Sequence, residues 1–303
     1  MDYLTRGTNQ TKHIQAFACL TTDMVEEARK RHDLWPVASA ALGRTMSVTA
    51  MMASELKDEK AKIETQIDGK GELGKIIVDA WSNGNVRGYV TNPKVNFVHK
   101  ETGGMAVGIA VGTNGYLRVI KDLNLKQPWI GTVDLQSGEI GDDFAYYFTT
   151  SEQIPSAVGV GVLVRTDQKI ISSGGWIVKM MPEVTEEEIK QTEERIKKIP
   201  SVSTMLKEGY TPEKMLQQII PDYEELGKTE LRFKCTCSRE KCLNVLNLLK
   251  LSELEEMIKE DEKCNMHCEF CGSDYSFSKE ELEEILKQRK EKENDVKIED
   301  RNS

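Results

Sequence analysis

Cysteine is concentrated in one short stretch of this chain of 303 residues. Of the seven cysteines, six lie between Cys235 and Cys271, and only Cys19 lies elsewhere. In a long chain with no recognisable secretory signal, clustered thiols more often bind a metal or carry out redox chemistry than form structural disulfides. The sequence therefore predicts that this stretch folds around a metal ion or a redox centre.

The spacing of four of these cysteines is typical of a structural zinc site. Two short-spaced pairs, Cys235-x-Cys237 and Cys268-x-x-Cys271, are separated by a longer segment, and tetrahedral zinc takes four soft ligands at about 2.3 Å. Gly272 permits the tight turn that follows the second ligand of a zinc knuckle. The one-residue gap of the first pair also brings both sulfurs to one metal, provided that the chain is extended there.

Three further residues in this stretch are spare candidates for a ligand or a redox partner: Cys242, Cys264 and His267. For Cys242, packing in a helical core explains the residue as well as a redox role does. For His267, a solvated position in a loop is a simpler explanation than metal binding.

A unit that runs from residue 230 to about residue 290 has little core of its own. Domains of this size bury only about 60% of the surface of the unfolded chain. A structural zinc ion contributes roughly 10–16 kcal/mol at neutral pH, whereas a whole domain is typically stable by about 5–15 kcal/mol. We therefore expect loss of the metal to unfold this unit.

The spacing alone leaves two interpretations of the zinc site open. One is a plain zinc ribbon that never loses its metal, and the other is a redox switch. Basic residues near the cysteines favour the switch, because positive charge helps to keep thiolates ionised and oxidisable; they are Arg232, Lys234, Arg239, Lys241 and Lys263. Each candidate ligand also has a near neighbour with which it could form a disulfide once the metal leaves.

The charge balance of the whole chain argues against a nucleic-acid partner. There are 41 lysines and arginines against 50 aspartates and glutamates, which gives a net charge of −9, and an acidic protein repels phosphate polyanions on average. The most apolar long stretch, residues 35–56, is interrupted by Arg44 and Glu55, so a membrane span is not expected. A cytoplasmic location is expected.

The sequence pattern over residues 1–181 predicts a domain of the α+β class, with a mixed sheet-and-helix core. Helices are predicted at 22–33, 36–57 and near 142–150, and the alanines of the second suggest close packing against a sheet. Short strands between glycine turns are typical of this class; they are predicted at 14–20, 62–67, 75–81, 86–91, 105–111, 116–121, 129–135, 157–165 and 175–181.

After Pro182 the pattern changes to short helices. The pattern over residues 182–229 predicts a helical connector, in which Thr185 with Glu188 forms a capping box and Thr211 caps another helix. Residues 230–303 are expected to form the zinc-binding unit with a charged tail. In this unit we expect three helices. The first covers residues 239–250, the second begins with a capping box of Ser252 and Glu255, and the third begins with a capping box of Ser278 and Glu281.

Other motifs carry less information. The segment Gly69–Lys75 fits the front of a phosphate-binding loop, but Ile76 follows where magnesium chemistry needs Ser or Thr. A glycine-rich connection between strands explains it better. Cys19 lies in a strand pattern and is expected to be a buried structural thiol. His13, His32 and His99 are scattered, and the sequence contains no recognisable catalytic triad, so no catalytic residues are predicted and the protein is not expected to be an enzyme.

Several segments together resemble the 33-kilodalton chaperonin family, a family of bacterial redox-regulated holdases. They are KCTCSREKC and MHCEFCG around the cysteines, and DYLTRG, TTDMVEEARKRHD, PVASAALGRTM, NVRGYVTNP, YYFTTSEQIPSAV and SSGGWIVKMMP in the first domain. The resemblance spans nearly the whole chain, and the combination of CxC with CxxC is specific. One departure is Glu72, where the family usually has proline.

The resemblance implies a redox-activated chaperone. Cys235, Cys237, Cys268 and Cys271 would hold zinc in the reduced, inactive protein. Oxidation would form the disulfides Cys235–Cys237 and Cys268–Cys271, release zinc, unfold the C-terminal unit and destabilise the connector. The family then forms homodimers and binds unfolding client proteins without ATP.

The sequence leaves three functions open. The first is the thiol-switched holdase that the resemblance implies. The second is a constitutive zinc-ribbon protein that binds RNA or a protein partner, and the third is a thiol oxidoreductase that uses Cys268 and Cys271. The third function requires a CxxC motif at the N-terminus of a helix, whereas Gly272 and the strand that is predicted after it argue against that placement.

Overall fold

A computed structural model of the chain describes residues 1–99, 103–260 and 263–301, the last ten of these by backbone alone. Contacts divide the chain into two units, Met1–Lys234 and Cys235–Ser303. The α+β class predicted from the sequence is confirmed.

In chain order, the strands of the first unit are β1 Tyr3–Thr8, β2 Ile14–Leu20, β3 Lys62–Asp68, β4 Lys75–Trp81, β5 Asn85–Val90, β6 Tyr116–Asp122, β7 Trp129–Asp134, β8 Ser156–Val164, β9 Ile170–Met180, β10 Glu224–Glu230 and β11 Arg232–Phe233. Its helices are α1 Thr22–His32, α2 Pro36–Ala53, α3 Val107–Val111, α4 Gly141–Thr150, α5 Glu186–Ile196, α6 Val202–Lys207 and α7 Pro212–Ile219.

Two sheets organise the first unit. Sheet A has the strand order β10-β1-β2-β9-β8, and sheet B has the order β11-β5-β4-β3-β6-β7. The short β11 pairs in parallel with β5, and the other described pairs of the two sheets are antiparallel. A turn that contains Asn83 and Gly84 joins β4 to β5, and Gly84 has a φ of +78°, which favours glycine.

Helix α2 packs against strands of both sheets and forms the centre of the main core. All of its residues are buried except Pro36 and Arg44, and a helix that is apolar on every side is expected in such a position. Its alanines allow the close approach that the sequence suggested. Arg44 reaches out of the core to Glu139, at 2.6 Å between Nη1 and Oε2.

The prediction of a strand at residues 105–111 is wrong, because Val107–Val111 form helix α3. A short apolar run does not distinguish a strand from a buried helix, and here tertiary contacts decide. The N–H of Gly108 donates to Glu139 Oε1 at 2.9 Å, and a Cβ at Gly108 would lie only 2.6 Å from the carbonyl oxygen of Ser137. Strands β1 and β10 were not predicted, since both contain many polar residues.

The three helices of the connector region, α5, α6 and α7, lie in the first unit and cover the outer face of sheet A. Their apolar side chains form a second core with residues of β2 and β9; its buried members are Ile14, Ala16, Ala18, Trp176, Val178, Met180, Val202, Met205, Leu206, Met215, Leu216, Ile219 and Ile220. The capping box of α5 is confirmed: Thr185 Oγ1 accepts from Glu188 N at 3.2 Å, and Thr185 N donates to Glu188 Oε2 at 2.9 Å. The Thr211 cap of α7 is also confirmed. The division of the chain into a core domain of residues 1–181, a helical connector of residues 182–229 and a zinc-binding unit of residues 230–303 remains a prediction.

One extended segment serves both sheets. Strand β10 pairs with β1 at the edge of sheet A, and β11 continues from it to pair with β5 at the edge of sheet B. Between them, Leu231 is buried and its N–H donates to Asp2 O at 3.0 Å. After β11, Lys234 N donates to Val86 O at 2.8 Å. The segment is therefore fixed to the sheets up to the residue before Cys235.

The second unit consists of α8 Arg239–Leu246, α9 Leu251–Glu260, the hairpin strands β12 Lys263–Cys268 and β13 Ser273–Ser278, and α10 Lys279–Arg301. Its core is small. In the described part of the unit the buried members are Leu246, Leu254, Ile258, Phe277, Leu282 and Ile285. So small a core agrees with the expectation that this unit needs further stabilisation.

The cap predicted for the second helix of this unit is wrong. Ser252 lies inside α9, and the capping contact runs from Lys250 N to Glu253 Oε2 at 2.8 Å. Glu255 instead pairs with Lys290, at 2.6 Å between Oε1 and Nζ. The first helix is shorter than predicted and ends at Leu246. The Ser278 cap of α10 is confirmed, since Ser278 N donates to Glu281 Oε2 at 2.9 Å.

Among the helices of the described residues, none combines the length and the apolar character that crossing a lipid bilayer would require.

Helix α7 provides a test of how the connector is held. Leu216 is fully buried in the second core, so we expect Leu216→Ala to weaken docking of α7 by about 2–5 kcal/mol through lost burial and a cavity. Hydrogen exchange of the α7 amides measures this change. Gln217→Ala is the matched control, because this neighbour is exposed on the same helix and should change stability by less than about 0.5 kcal/mol. Unchanged exchange in Leu216→Ala would mean that α7 is held by other contacts.

Candidate metal centre

The four predicted cysteines come from two separate parts of the second unit. Cys235 and Cys237 lie in an irregular segment just before α8, whereas Cys268 ends β12 and Cys271 lies in the turn to β13. In that turn, the N–H groups of Cys271 and Gly272 donate to Cys268 O at 3.1 and 2.8 Å. Gly272 has a φ of +69°, a conformation that favours glycine over other residues.

The structure brings the four sulfur atoms together. All lie within 4.8 Å of one another, with Sγ–Sγ distances of 3.8 Å for Cys235 and Cys268 and 3.3 Å for Cys237 and Cys271. A tetrahedron with zinc–sulfur bonds of about 2.3 Å has edges of about 3.8 Å. The donor set and its spacing therefore fit a tetrahedral thiophilic metal such as zinc.

Two hydroxyl groups contact the sulfur cluster. Tyr275 Oη lies 3.1 Å from Cys237 Sγ, and Ser273 Oγ lies 3.3 Å from Cys271 Sγ. Both hydroxyls stand on β13, on the strand that follows the CxxC turn. Neither residue was predicted from the sequence as a member of the site. Their spacing of two, which places side chains on one face of a strand, is the signal that could have found them.

Burial and hydrogen bonding shift the pKa values of Cys237, Cys268 and Cys271 in different directions. Burial raises the pKa of Cys268 to about 12, and burial is also the main cause that raises the pKa of Cys237. For Cys271, burial acts in the same direction, but hydrogen bonds with Ser273 and with the Cys237 thiol outweigh it and lower the pKa to about 7. Without a metal these three thiols do not ionise together, so a metal that binds the cluster as thiolates must release protons.

The basic residues near the cluster have specific partners. Lys241 Nζ donates to the carbonyl oxygen of Thr236 at 2.6 Å, which fixes the lysine to the CxC segment. Arg239 pairs with Glu281 at 2.6 Å and stacks on the Phe277 ring at 4.3 Å. Of these two basic residues, Lys241 has the more direct contact with a cysteine-bearing segment.

The spare candidates lie outside the four-sulfur cluster. Cys242 and Cys264 are partly buried and pack against the small core of the second unit, which supports a packing role for Cys242. His267 is exposed, and its Nδ1 lies 2.7 Å from Asp274 Oδ1. The hydrogen bond with Asp274 raises the pKa of His267.

Cys19 and the glycine-rich segment Gly69–Lys75 have structural roles. Cys19 is fully buried, and burial raises the pKa of its thiol to about 12, so it is unreactive. The segment Gly69–Lys75 connects β3 to β4, as expected for a glycine-rich connection. A Cβ at Gly69 would lie 2.2 Å from the carbonyl oxygen of Gly112, so close backbone packing explains this glycine.

The position of the CxxC motif disagrees with a thiol oxidoreductase. Such enzymes place the motif at a helix N-terminus, where the helix stabilises a reactive thiolate. Here Cys268 and Cys271 lie in the turn of a β-hairpin, and the chain continues into β13.

Comparison with known proteins identifies relatives along nearly the whole chain. The family model described as Hsp33 protein matches residues 2–278. The 33 kDa chaperonins of Bacillus cytotoxicus and Bacillus cereus are 46% and 45% identical over 287 residues, which cover 94% of this chain and 98% of each relative. The crystal structure of the 33 kDa chaperonin of Thermotoga maritima superposes with a TM-score of 0.87 at 38% identity, covering 95% of this chain and 99% of that one.

Replacing one cysteine of the cluster tests the metal centre. We expect Cys268→Ser to reduce bound zinc to well below one ion per chain, because a hydroxyl is a poor ligand for zinc compared with a thiolate, and to leave the second unit disordered even under reducing conditions. Zinc analysis and far-UV circular dichroism measure the two effects. Cys264→Ser is the control, since Cys264 is on the same strand but outside the cluster. Full zinc and a folded second unit in Cys268→Ser would show that the ligands are assigned wrongly.

The hydroxyl of Tyr275 offers a finer test. A hydrogen bond to a ligand sulfur supports that ligand, and loss of such a group typically costs about 10–100-fold in metal affinity. We therefore expect Tyr275→Phe to weaken zinc binding by about 10-fold or more, as measured by competition with a chromophoric chelator. Ser276→Ala is the matched control, because this neighbouring hydroxyl bonds to Asn265 instead. Equal affinities for the two variants would exclude a role for the phenol.

Proposed function

The chain belongs to the Hsp33 family of chaperones, and from this premise we propose that it is an ATP-independent holdase that thiol oxidation activates under oxidative stress. The observation that carries the proposal is the cluster of four cysteine sulfurs within 4.8 Å in a unit with a small core. Such a unit depends on the state of its thiols far more than a domain with a large core does.

In the reduced protein, Cys235, Cys237, Cys268 and Cys271 would hold one Zn²⁺ ion. The bound ion supplies cross-linking of two distant segments and hence folding free energy. The residues of this chain position the four sulfur ligands and form hydrogen bonds with them. The Cys268–Gly272 turn would present two of the sulfurs and the CxC segment the other two. Once the four are thiolates, the hydroxyls of Tyr275 and Ser273, which lie 3.1 and 3.3 Å from Cys237 Sγ and Cys271 Sγ, would donate hydrogen bonds to them.

Oxidation would remove the ligands. Two cysteine thiols lose two electrons and two protons to hydrogen peroxide, which is reduced to two water molecules while one S–S bond forms. We propose the pairs Cys235–Cys237 and Cys268–Cys271, on the basis of the family resemblance. All four sulfurs are close enough for either these pairs or pairs across the two segments, and peptide mapping of the oxidised protein distinguishes the two connectivities.

Activation would then extend to the connector of residues 182–229. Its helices α5, α6 and α7 are short, and helices of this length are marginal in water unless they pack on something else. When they detach, they uncover the apolar outer face of sheet A, which β2 and β9 supply. Met205 and Met215, which pack there now, suit adaptable contacts with varied partners.

The partners in this proposal are unfolding client proteins, together with a second copy of the chain in an activated homodimer. A cytoplasmic location, where thiols are normally reduced, belongs to the same proposal. We propose no catalytic residue and no nucleic-acid partner. The net charge of −9 disfavours nucleic acid, and the cysteines of the hairpin turn lack the helix placement of a thiol oxidoreductase.

The function is tested by oxidising the reduced, zinc-loaded protein with peroxide at mild heat. We expect zinc release, a fall in free thiols from seven to three as two disulfides consume four, and strong suppression of aggregation of a chemically denatured client measured by light scattering. The reduced protein should suppress little, and Cys242→Ser should behave like the parent chain apart from its missing thiol. Retained zinc with no gain in suppression would contradict the proposal and favour a constitutive zinc ribbon.

A further inference from the structure

The outer edge of β1 is covered by a strand of the connector. Residues Tyr3–Thr8 pair with β2 on one side and with β10 on the other, both antiparallel. The N–H of Leu231 donates to Asp2 O at 3.0 Å. Since main-chain groups alternate along a strand, those of Leu4 and Arg6 point to β10 and those of Tyr3 and Thr5 point to β2.

Strand β10 holds this edge with its backbone more than with its side chains. Its sequence, Glu-Glu-Leu-Gly-Lys-Thr-Glu, is poor in the β-branched and aromatic residues that favour strands. None of its residues is buried, and Leu226 is 67% exposed. The pairing therefore consists mainly of main-chain hydrogen bonds, which a segment of almost any sequence could supply.

The contacts that hold β10 in place come from the connector. Lys228 pairs with Glu213 of α7 at 2.8 Å, and the same glutamate accepts a hydrogen bond from the Tyr3 hydroxyl at 2.9 Å. The Tyr223 hydroxyl lies 2.8 Å from Thr5 Oγ1, and the Tyr223 ring lies so close to Gly7 that a Cβ there would be 2.4 Å from it. When α7 detaches, Lys228 of β10 loses its ion pair with Glu213 and keeps its contacts with Glu225 of the same strand and with the Tyr3 ring.

We infer that the outer edge of β1, residues Tyr3–Thr8, is a client-binding site that β10 covers in the inactive protein. The inference rests on the proposed function, because it requires the connector to detach on oxidation. The occupant is an extended segment of an unfolding protein, which adds to sheet A as an antiparallel strand in the place of β10. Strand addition of this kind obtains affinity from main-chain hydrogen bonds and specificity from side-chain pockets.

A cavity beside this edge indicates which segments bind best. It has a volume of about 300 Å³ and is lined by Arg6, Gly7, Gln15, Phe17, Glu55 and Leu226. Leu226 is the residue of β10 that lines this cavity, so the corresponding residue of a client segment would contact it too. Leu226 remains 67% exposed there, so an apolar client residue at that position adds only a small preference to the main-chain pairing, which suits a chaperone that recognises unfolded chain without a defined sequence.

Amide hydrogen exchange, measured by NMR on the full chain, tests the site directly. The amides of Leu4 and Arg6 should be protected in the reduced protein, exchange at least 10-fold faster in the oxidised protein, and regain protection when reduced, carboxymethylated α-lactalbumin is added as a permanently unfolded client. The amides of Tyr3 and Thr5 face β2 and serve as internal controls that remain protected throughout.

Two results would overturn this inference. In the first, the amides of Leu4 and Arg6 stay protected in the oxidised protein without client, which means that β10 stays in place. If that protection increases with protein concentration, a second copy of the chain occupies the edge instead. Exchange that stays fast with client bound means that clients bind elsewhere. In both cases an oxidised protein that still suppresses aggregation leaves the proposed function standing, whereas complete absence of suppression is a failure of the proposed function itself.

A competing peptide gives an independent test. The peptide of residues Tyr223–Leu231 should displace the unfolded α-lactalbumin from the oxidised protein, as measured by fluorescence anisotropy of the labelled client. Methylation of the backbone nitrogens of Gly227 and Thr229, which face β1 by the same alternation, should weaken the peptide at least 10-fold. Methylation at Lys228 and Glu230 is the matched control and should change little. Equal potency of the two methylated peptides would contradict main-chain pairing at this edge.

Discussion

The contact among four cysteine sulfurs is the interaction on which the second unit depends. Cys235 and Cys237 precede α8, whereas Cys268 and Cys271 belong to a hairpin much later in the chain, so the cluster closes a long loop. The described core of the unit has six buried apolar side chains, and a domain of that size is marginal without a cross-link. With zinc bound as proposed, the same four atoms determine both the fold of this unit and its response to an oxidant.

The connector is the second marginal element, and its stability has a different origin. Its helices have well-formed caps at Thr185, Ser201 and Thr211, but caps contribute only about 1 kcal/mol each. Most of the stabilisation comes from the apolar side chains that pack on sheet A. Because this packing belongs to the outer face of the sheet, the connector can detach while the main core around α2, which lies between the sheets, is retained.

Local sequence signals predicted the parts of the structure that depend on neighbours in the chain. The CxC and CxxC spacing identified the four sulfurs that the structure brings together, and the Thr185 and Ser278 caps are in place. Local signals gave wrong or no predictions where the secondary structure depends on contacts with residues far away in the chain. Within the strand predicted at 105–111, residues 107–111 form a helix instead, and Gly108 packs there against the loop that contains Ser137 and Glu139. Strands β1 and β10 come from opposite ends of the first unit, and no local pattern in two polar segments reveals such a pairing.

The pairing of β1 with β10 also affects the protein before it is complete. Strand β1 is synthesised well before β10, which is made only when the first unit is nearly finished. At about 5–20 residues per second, translation leaves the edge of β1 without its own partner for about 10–40 s. During that interval the nascent chain presents an open strand edge, a known route to aggregation. Arg6 lies on that edge, and a charged side chain is a feature that discourages unwanted pairing while synthesis continues.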